Sequence, residues 1–208
     1  MIRTMNVTVE TQQEYGIATF DLAVAIKAYC IQALESPRFD RLLILLGHFH
    51  IELALFGAIG TYINESGAEY LLTEAGVLAE GSLMGFIRGK FYNRCTRVHE
   101  ILAVVMERKL YAQFVHTVGN DEIDAIREIL NDAPSNHEDL ENYLASPVFE
   151  GYVRKYESYF NGVLNGSAGP TAEFWAKYVY MVNRIWRYLQ FCVRTNDVDG
   201  YICFVISG

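Results

Sequence analysis

The stretch L-L-I-L-L-G-H-F-H-I, Leu42 to Ile51, decides the fold because a short aliphatic run ends abruptly in a glycine and two histidines. An apolar run of this length predicts a strand inside a sheet that is covered on both faces. Residues just past the carboxyl ends of such strands are where open α/β sheets place ligands and chemistry. His48 and His50 therefore occupy a candidate site.

A second short apolar run, Gly16 to Phe20, ends in the same way at Asp21. The sequence from Leu22 to Leu34 predicts a helix, with Pro37 close behind its end. We expect the two strands to be adjacent and parallel and the helix to be their crossover connection. Each of the two strands is then followed by a side chain that is able to bind a metal.

The remainder of the chain predicts mostly helix, so the expected fold class is α+β and predominantly α-helical, with a small sheet. A polar segment with Pro134 predicts a linker over 131–139. Thr171 is a plausible N-cap for an aromatic helix, which we expect to lie in a core. The predicted helices are 51–63, 91–115, 121–130 and 172–194, and further strands are predicted at 5–10 and 201–206.

Composition limits the classes of protein that the chain can represent. Hydrophobic residues make up 51% and charged residues 20%, which is typical of a packed globular protein rather than a disordered one. No apolar run approaches the roughly 20 residues of a membrane-spanning helix, and the N-terminus lacks the pattern of a signal peptide. We therefore expect an intracellular protein without a membrane partner. The scattered cysteines predict neither a zinc site nor a disulfide framework.

The net charge of −8 argues against general nucleic-acid binding, which needs a positive surface. A local exception is possible at Lys90, Arg94 and Arg97, whose spacings of four and three place them on one helix face. This face predicts either contact with DNA phosphates or an ordinary solvated helix surface. Phosphate-loop and serine-nucleophile motifs are missing from the sequence, which leaves metal-assisted chemistry as the enzymatic option.

Several segments together resemble a family of uncharacterised, transposon-derived proteins of invertebrate and fish genomes. They are A-T-F-D-L-A-V-A-I-K-A from Ala18, F-D-R-L-L-I-L-L-G-H-F-H-I-E-L-A-L-F-G-A-I-G from Phe39, the stretch from Glu65 to Cys95, P-T-A-E-F-W-A-K-Y-V from Pro170, and V-R-T-N-D from Val193. Members of this family look like degenerate relatives of cut-and-paste transposases of the DDE type, which have an RNase H-like core.

The resemblance implies roles for particular residues. In such transposases a catalytic Asp ends a core strand and a [C/D]-x-x-H motif follows on the next one. Asp21 and the segment Gly47 to His50 match this layout, although Gly47 replaces the usual Cys or Asp, so only His50 carries over. Asp199 matches the final acid, and Asp197 could equally serve.

The resemblance also implies a domain organisation and a cofactor. Residues 1–67 would form a partial RNase H-like core, 68–165 a helical insertion, and 166–208 an aromatic helix and a strand that returns to the core. Asp21 and Asp199 would hold Mg²⁺ or Mn²⁺, but two-metal chemistry needs a further carboxylate, for which Glu10 is a weak candidate. We therefore expect a fragment or a domesticated remnant, located in the nucleus.

Structural roles compete with each of these assignments. Asp21 could instead N-cap the helix that starts at Leu22, which is a frequent role of Asp. His50 could be a buried histidine that orients a loop through hydrogen bonds.

Three functions consequently remain open. The first is a transposase-derived protein that is inactive as this chain. The second is a metal-dependent nuclease or transposase that is completed by a partner or by residues outside this sequence. The third is a helical protein-interaction module without enzymatic activity.

Overall fold

A computed structural model describes residues 1–131 and 144–207 of the chain. These residues are mostly helical and contain one small parallel sheet, so the predicted class, α+β and predominantly α-helical, is confirmed. The chain divides into two compact units, Met1–Cys95 and Thr96–Gly208. Within the described part of the chain, no helix combines the length and the apolar character that are needed to cross a membrane.

A parallel β-α-β unit lies at the centre of the first unit. Strands β1 (Gly16–Phe20) and β2 (Leu42–Leu46) pair in parallel, with Gly16 opposite Leu42. Helix α2 (Leu22–Leu34) connects them. The bounds of all three elements and the parallel pairing agree with the sequence-based prediction.

Small side chains hold α2 against one face of this sheet. Ala25 and Ala28 of the helix pack in one buried cluster with Ala18 of β1 and with Leu42 and Ile44 of β2. Because alanine side chains are short, the helix lies close to the strands. The opposite face of the sheet does not contribute to this cluster.

Helix α1 (Ile2–Glu10) occupies the segment for which a strand was predicted over 5–10, so that prediction was wrong. Met1 and Met5, which are four residues apart and therefore on one helix face, pack against the buried cluster of the sheet. The Thr8 hydroxyl donates a 2.9 Å hydrogen bond to the Thr4 carbonyl, a local bond that helical geometry permits. The alternation of Val and Thr was too short a signal to outweigh these contacts.

Three further helices and a 3₁₀ turn complete the first unit up to the start of the long helix α6. Their bounds are α3 (His48–Ile63), α4 (Ala68–Glu74), the turn Glu80–Ser82 and α5 (Leu83–Ile87). The sequence predicted that α3 starts at Ile51, but the helix starts three residues earlier, immediately after its N-cap Gly47. His48 and His50 therefore lie on a helix rather than past the end of a strand.

Helices α3 and α5 approach closely at Gly60. A Cβ atom at this position would collide with the backbone carbonyl oxygen of Ile87. Gly60 is itself buried, in line with Phe56, Ile59 and Ile63 on the core face of α3. The close packing of these two helices therefore depends on the missing side chain.

In the described part of the second unit, all the regular secondary structure is helical. It contains α6 (Tyr92–Val115, whose first turn belongs to the first unit), α7 (Asn120–Asn131), α8 (Pro147–Leu164), α9 (Pro170–Tyr180), a π-helical segment (Met181–Trp186), α10 (Arg187–Thr195) and α11 (Val198–Ser207). The predictions for α6 and α7 hold to within one residue at each end. Apart from Asn131, the predicted linker over 131–139 lies outside the described residues.

The aromatic helix predicted over 172–194 is continuous from Pro170 to Thr195, with a π-helical turn in its middle. Its N-cap is Gly169 rather than Thr171, because Pro170 fits the first helical position, where its missing N–H is not needed. Tyr178 and Trp186 are fully buried, as expected of core residues, whereas Tyr180, Tyr188 and Phe191 are exposed. The expectation of a core helix therefore holds for one face only.

The strand predicted at 201–206 is a helix, α11, so this prediction was wrong. Asn196 ends α10 in the left-handed conformation, with φ of 55°. The Asp197 carboxylate then accepts a 3.0 Å hydrogen bond from the Gly200 N–H, which caps the first turn of α11. This cap starts a helix in an apolar, β-branched segment whose composition alone favoured a strand.

A buried polar pair lies inside the second unit. His99 and Tyr178 have no exposed surface, and His99 Nδ1 is 3.0 Å from the Tyr178 hydroxyl. Burial lowers the pKa of His99 to about 3 and raises the pKa of Tyr178. Both side chains are therefore neutral at pH 7.

We expect Gly60→Ala to lower the free energy of unfolding by about 1–3 kcal/mol, because the added methyl group meets a backbone oxygen that cannot turn away. Gly151→Ala in α8 is the matched control, since a Cβ atom there meets no other atom within 4 Å. That variant should be neutral or up to about 1 kcal/mol more stable. Urea denaturation measures both, and equal effects of the two substitutions would contradict the close approach of α3 and α5.

Acid should destabilise the protein through His99. Its pKa is about 3 when folded and 6.5 in the unfolded chain, so between these values the unfolded state binds more protons and stability falls as the pH falls. The loss should approach about 1.4 kcal/mol per pH unit below pH 6.5. Denaturation of wild type and His99→Gln from pH 7 to 4.5 measures it, since the variant lacks this slope. His116→Gln, at an exposed position, should keep it.

Candidate functional site

The carboxyl ends of β1 and β2 lie side by side at one edge of the sheet. The Gly47 N–H donates a 2.8 Å hydrogen bond to the carbonyl oxygen of Phe20, so the pairing extends one residue past β2. Asp21 and His48 directly follow these two residues. The structure therefore brings the two predicted positions Asp21 and Gly47 together at this edge.

Asp21 is the N-cap of α2. Its Oδ1 accepts a 2.9 Å hydrogen bond from the Val24 N–H, and its backbone is extended, as is usual at an N-cap. The side chain is exposed to solvent. The structural role that competed with metal binding is thus present, and it engages one of the two carboxylate oxygens.

Gly47 and His50 are close to each other at the start of α3. A Cβ atom at Gly47 would lie 3.4 Å from the Phe20 carbonyl oxygen and 3.9 Å from Cδ2 of His50. These are ordinary van der Waals distances, so a Cβ atom fits at position 47 and would adjoin the imidazole. His50 itself is half-buried, and its ring makes an edge contact with Phe49.

Glu52 is a buried carboxylate whose position the sequence did not reveal. Only 3% of the residue is exposed, and Oε2 accepts no hydrogen bond from the described residues. It precedes Phe56 by one turn on the core face of α3. A carboxylate in such surroundings is costly to bury, which marks Glu52 as an unusual residue at the end of α3 nearest the sheet edge. The only signal in the sequence is its spacing of four from Phe56.

Asp199 and Asp197 lie in the second unit, whereas Asp21 lies in the first. Asp199 is exposed in the first turn of α11, and Asp197 caps that helix. Asp197 therefore has a structural role of its own. The predicted match of Asp199 to a final catalytic acid stays a prediction.

The three basic residues do not share one helix face. Helix α6 begins at Tyr92, so Lys90 precedes the helix, and only Arg94 and Arg97 lie on it. The Arg94 guanidinium is 4.8 Å from the centre of the Phe91 ring, a cation–π contact, while Lys90 and Arg97 are exposed. The expectation of a single helical face was wrong because Lys90 precedes the helix, whether that helix starts at 91 as predicted or at Tyr92 as found.

The donor set for a metal centre is incomplete in the residues that the structure describes. Over 1–131 and 144–207, no three His, Cys, Asp or Glu side chains lie together in a way that could hold an ion. Two-metal phosphoryl chemistry needs such a cluster of carboxylates. Such a cluster is not found in those ranges, and Asp21 and Asp199 belong to different units, so the Mg²⁺ or Mn²⁺ pair that the resemblance implies stays a prediction.

The second unit contains an aromatic cavity between α6 and α8 that the sequence analysis missed. Its volume is about 420 Å³, and its lining includes Tyr111, Phe149, Tyr152 and Tyr156. The Tyr111 and Tyr152 hydroxyls are 2.7 Å apart. Burial, with the nearby charge of Glu107, raises the pKa of Tyr156 to about 12. The spacing of aromatic residues by three and four in α8 was the available signal.

Fold and candidate site together define the class: an α+β protein, predominantly helical, with polar residues after two adjacent parallel strands. The chain belongs to the family described as Domain of unknown function (DUF8702), whose model matches residues 1–207. No curated protein and no solved structure matches the chain.

Removal of the Asp21 cap should destabilise the protein measurably. We expect Asp21→Ala to lower the free energy of unfolding by about 1 kcal/mol, because the Val24 N–H loses its acceptor. Asp21→Asn keeps an acceptor oxygen at the same place and should have little effect. Chemical denaturation compares the two variants with wild type, and an equal loss of stability in both would show that the charge matters more than the cap.

Proposed function

We propose that this protein is derived from a cut-and-paste transposase, that its RNase H-like core is incomplete, and that the chain does not cleave DNA by itself. The observation that carries the proposal is the placement of Asp21 and of the segment Gly47 to His50 after adjacent parallel strands. In the transposases that the sequence resembles, a catalytic acid and a [C/D]-x-x-H motif follow successive core strands in the same order.

The surroundings of Gly47 support the comparison. A Cβ atom at Gly47 would lie in ordinary contact with the His50 ring, and this is the position where the motif has a Cys or Asp. We therefore interpret Gly47 as a motif position that has lost its side chain, while the backbone around it is retained. His50 keeps the position of the motif histidine, for which the resemblance implies a structural role.

The arrangement of the carboxylates supports an incomplete catalytic site. One oxygen of Asp21 is engaged by the Val24 N–H, and the described residues offer no cluster of ligands around it. Asp199 remains the candidate for the final acid, and no first acid is matched. An active nuclease would thus need carboxylates from a partner, and Mg²⁺ or Mn²⁺ would be its cofactor only in that case.

DNA is the proposed partner of the basic residues Lys90, Arg94 and Arg97. Phosphate contacts by a few Arg and Lys side chains are compatible with an acidic protein only where the positive charge is local. The spacing of three between Arg94 and Arg97 on α6 provides a local pair, of which Arg97 is exposed, and Lys90 adds an exposed cation just before the helix. A nuclear location would accompany this role.

A protein-interaction module is the second candidate function, and the surface of α2 favours it. Although α2 is strongly apolar, its buried residues are only Ala25 and Ala28. Large apolar side chains are exposed along it, namely Leu22, Val24, Ile26, Tyr29, Ile31 and Leu34. Contiguous apolar surface of this kind marks interaction sites in soluble proteins.

A salt titration of binding to duplex DNA tests the proposed role. We expect binding at low salt that weakens steeply as salt rises, with Arg94→Gln/Arg97→Gln lowering affinity about tenfold and reducing the salt slope by about 2. Arg108→Gln/Lys109→Gln removes the same charge from the same helix and should change neither quantity as much. Equal losses in both variants, or no binding at low salt, would contradict a DNA site at Arg94 and Arg97.

A cleavage assay with Mg²⁺ or Mn²⁺ tests the inactive core separately. We expect plasmid DNA to remain intact with the purified chain, because the carboxylate set is incomplete. Cleavage that is abolished in Asp21→Asn, a variant that keeps the helix cap, would overturn this part of the proposal and establish Asp21 as a catalytic residue.

A further inference from the structure

Among the described residues, the backbone groups on the outer edge of β1 have no hydrogen-bond partner. The Gly16 N–H donates to the Arg41 carbonyl oxygen at 2.9 Å, and the Phe20 carbonyl oxygen accepts from the Gly47 N–H. In a parallel ladder alternate residues point their backbone groups at the neighbouring strand. The backbone N–H and C=O groups of Gly16, Ala18 and Phe20 therefore point to β2. Those of Ile17 and Thr19 point away from the sheet.

The outer edge of β2, in contrast, is covered by side chains of α2. The Tyr29 hydroxyl donates a 2.7 Å hydrogen bond to the Ile44 carbonyl oxygen, and the Gln32 amide donates one of 2.7 Å to that of Leu42. Both side chains come from α2. Side chains thus occupy acceptors that another strand would need, so a strand can be added at β1 much more readily than at β2.

The sheet face opposite α2 is also uncovered next to this edge. Ile17 is 52% exposed and Leu43 is 45% exposed, and both point to this face, while Ala18 and Ile44 point to the buried cluster. An apolar face beside an open edge is the arrangement that edge strands of stable monomers usually avoid. A strand added at β1 would widen this face and let its apolar side chains pack against those of the new strand.

We propose that β1 pairs antiparallel with β1 of a second copy of this chain, across a two-fold axis at Ala18, so that two sheets join into one of four strands. In that register Ile17 lies opposite the partner's Thr19, and Thr19 lies opposite the partner's Ile17. Each of these pairs exchanges two backbone hydrogen bonds. The N–H and C=O groups of Ile17 and Thr19 in one copy then all form hydrogen bonds with the same four groups of the other copy.

The self-complementarity of this edge favours a second copy over a different partner. A two-fold contact requires one patch to match itself, and two donors and two acceptors placed symmetrically about Ala18 meet that condition. Across the axis, β-branched Ile and Thr side chains face each other, which is a favourable cross-strand pair. The small Ala18 side chains meet on the buried side, where a larger residue would crowd α2.

The size of the contact sets the expected strength. A pair of five-residue strands with the adjoining Ile17 and Leu43 surface is smaller than the roughly 800 Å² per partner of a standard interface. We therefore expect a reversible dimer with a Kd in the micromolar range or weaker. This inference does not depend on the proposed transposase origin, because it uses only the geometry of the sheet.

Sedimentation velocity of the full chain over a concentration series tests the dimer. Ile17→Lys should weaken dimerisation at least tenfold, because it places charges on both sides of the axis. Leu71→Lys is the matched control: it changes an exposed aliphatic residue, 54% exposed, on α4 and should leave the dimer intact. A monomer at every concentration, or a loss of the dimer only in Leu71→Lys, would overturn the proposal.

Cysteine cross-linking tests the register without depending on a destabilised variant. Cys30 and Cys203, which are exposed, are first replaced by Ser. A mixture of Ile17→Cys and Thr19→Cys chains should then form a disulfide-linked dimer on mild oxidation, because directly opposed residues have Cα atoms about 5.5 Å apart. Either variant alone places its cysteines at diagonal positions about 7–8 Å apart and should cross-link several-fold less.

The cross-linking pattern separates the possible results. Preferential linkage in the mixture supports the antiparallel register about Ala18. Equal linkage in the mixture and in the single variants, or none in any sample, would show that β1 does not pair in this register and would overturn the proposal. Both experiments use the whole chain and neither needs DNA or a metal ion.

Discussion

The parallel pairing of β1 with β2 is the constraint on which the candidate site depends. The bond from the Gly47 N–H to the Phe20 carbonyl oxygen, 2.8 Å long, fixes the two strand ends side by side. Asp21 and His48 then start two helices from neighbouring positions, since one helix follows each strand directly. Residues that are far apart in sequence meet at this edge only because the strands run in the same direction.

Helix α2 covers one face and one edge of this small sheet. Its alanines pack on one face, and Tyr29 and Gln32 close the outer edge of β2 through hydrogen bonds to backbone carbonyl oxygens. On the other edge and the other face, apolar side chains are exposed in the part of the chain that the structure describes. Two strands are fewer than a sheet normally needs for independent stability, so packing against helices or pairing with a further strand must contribute the rest.

Sequence periodicity predicted the β-α-β unit because its signals are local and strong. Two aliphatic runs, each ending in a polar or glycine residue, gave the bounds of both strands and of α2. The same reasoning failed for α1 and α11, where β-branched residues suggested strands but the segments are helical. The position of Asp21 was predicted together with both of its possible roles. The burial of Glu52 was not, because a carboxylate on an apolar helix gives no local sign of which face is covered.

By itself the sequence determined the helical character of the protein, the parallel β-α-β unit and the arrival of Asp21 and Gly47 at the ends of adjacent strands. Short-range spacing of apolar residues is enough for these features. Only the tertiary structure decided that Glu52 and His99 are buried, that Lys90 lies outside α6, and that the edge of β1 is open while that of β2 is closed. These features depend on which surfaces meet across long distances in the chain, and a linear pattern does not encode that choice in any single segment.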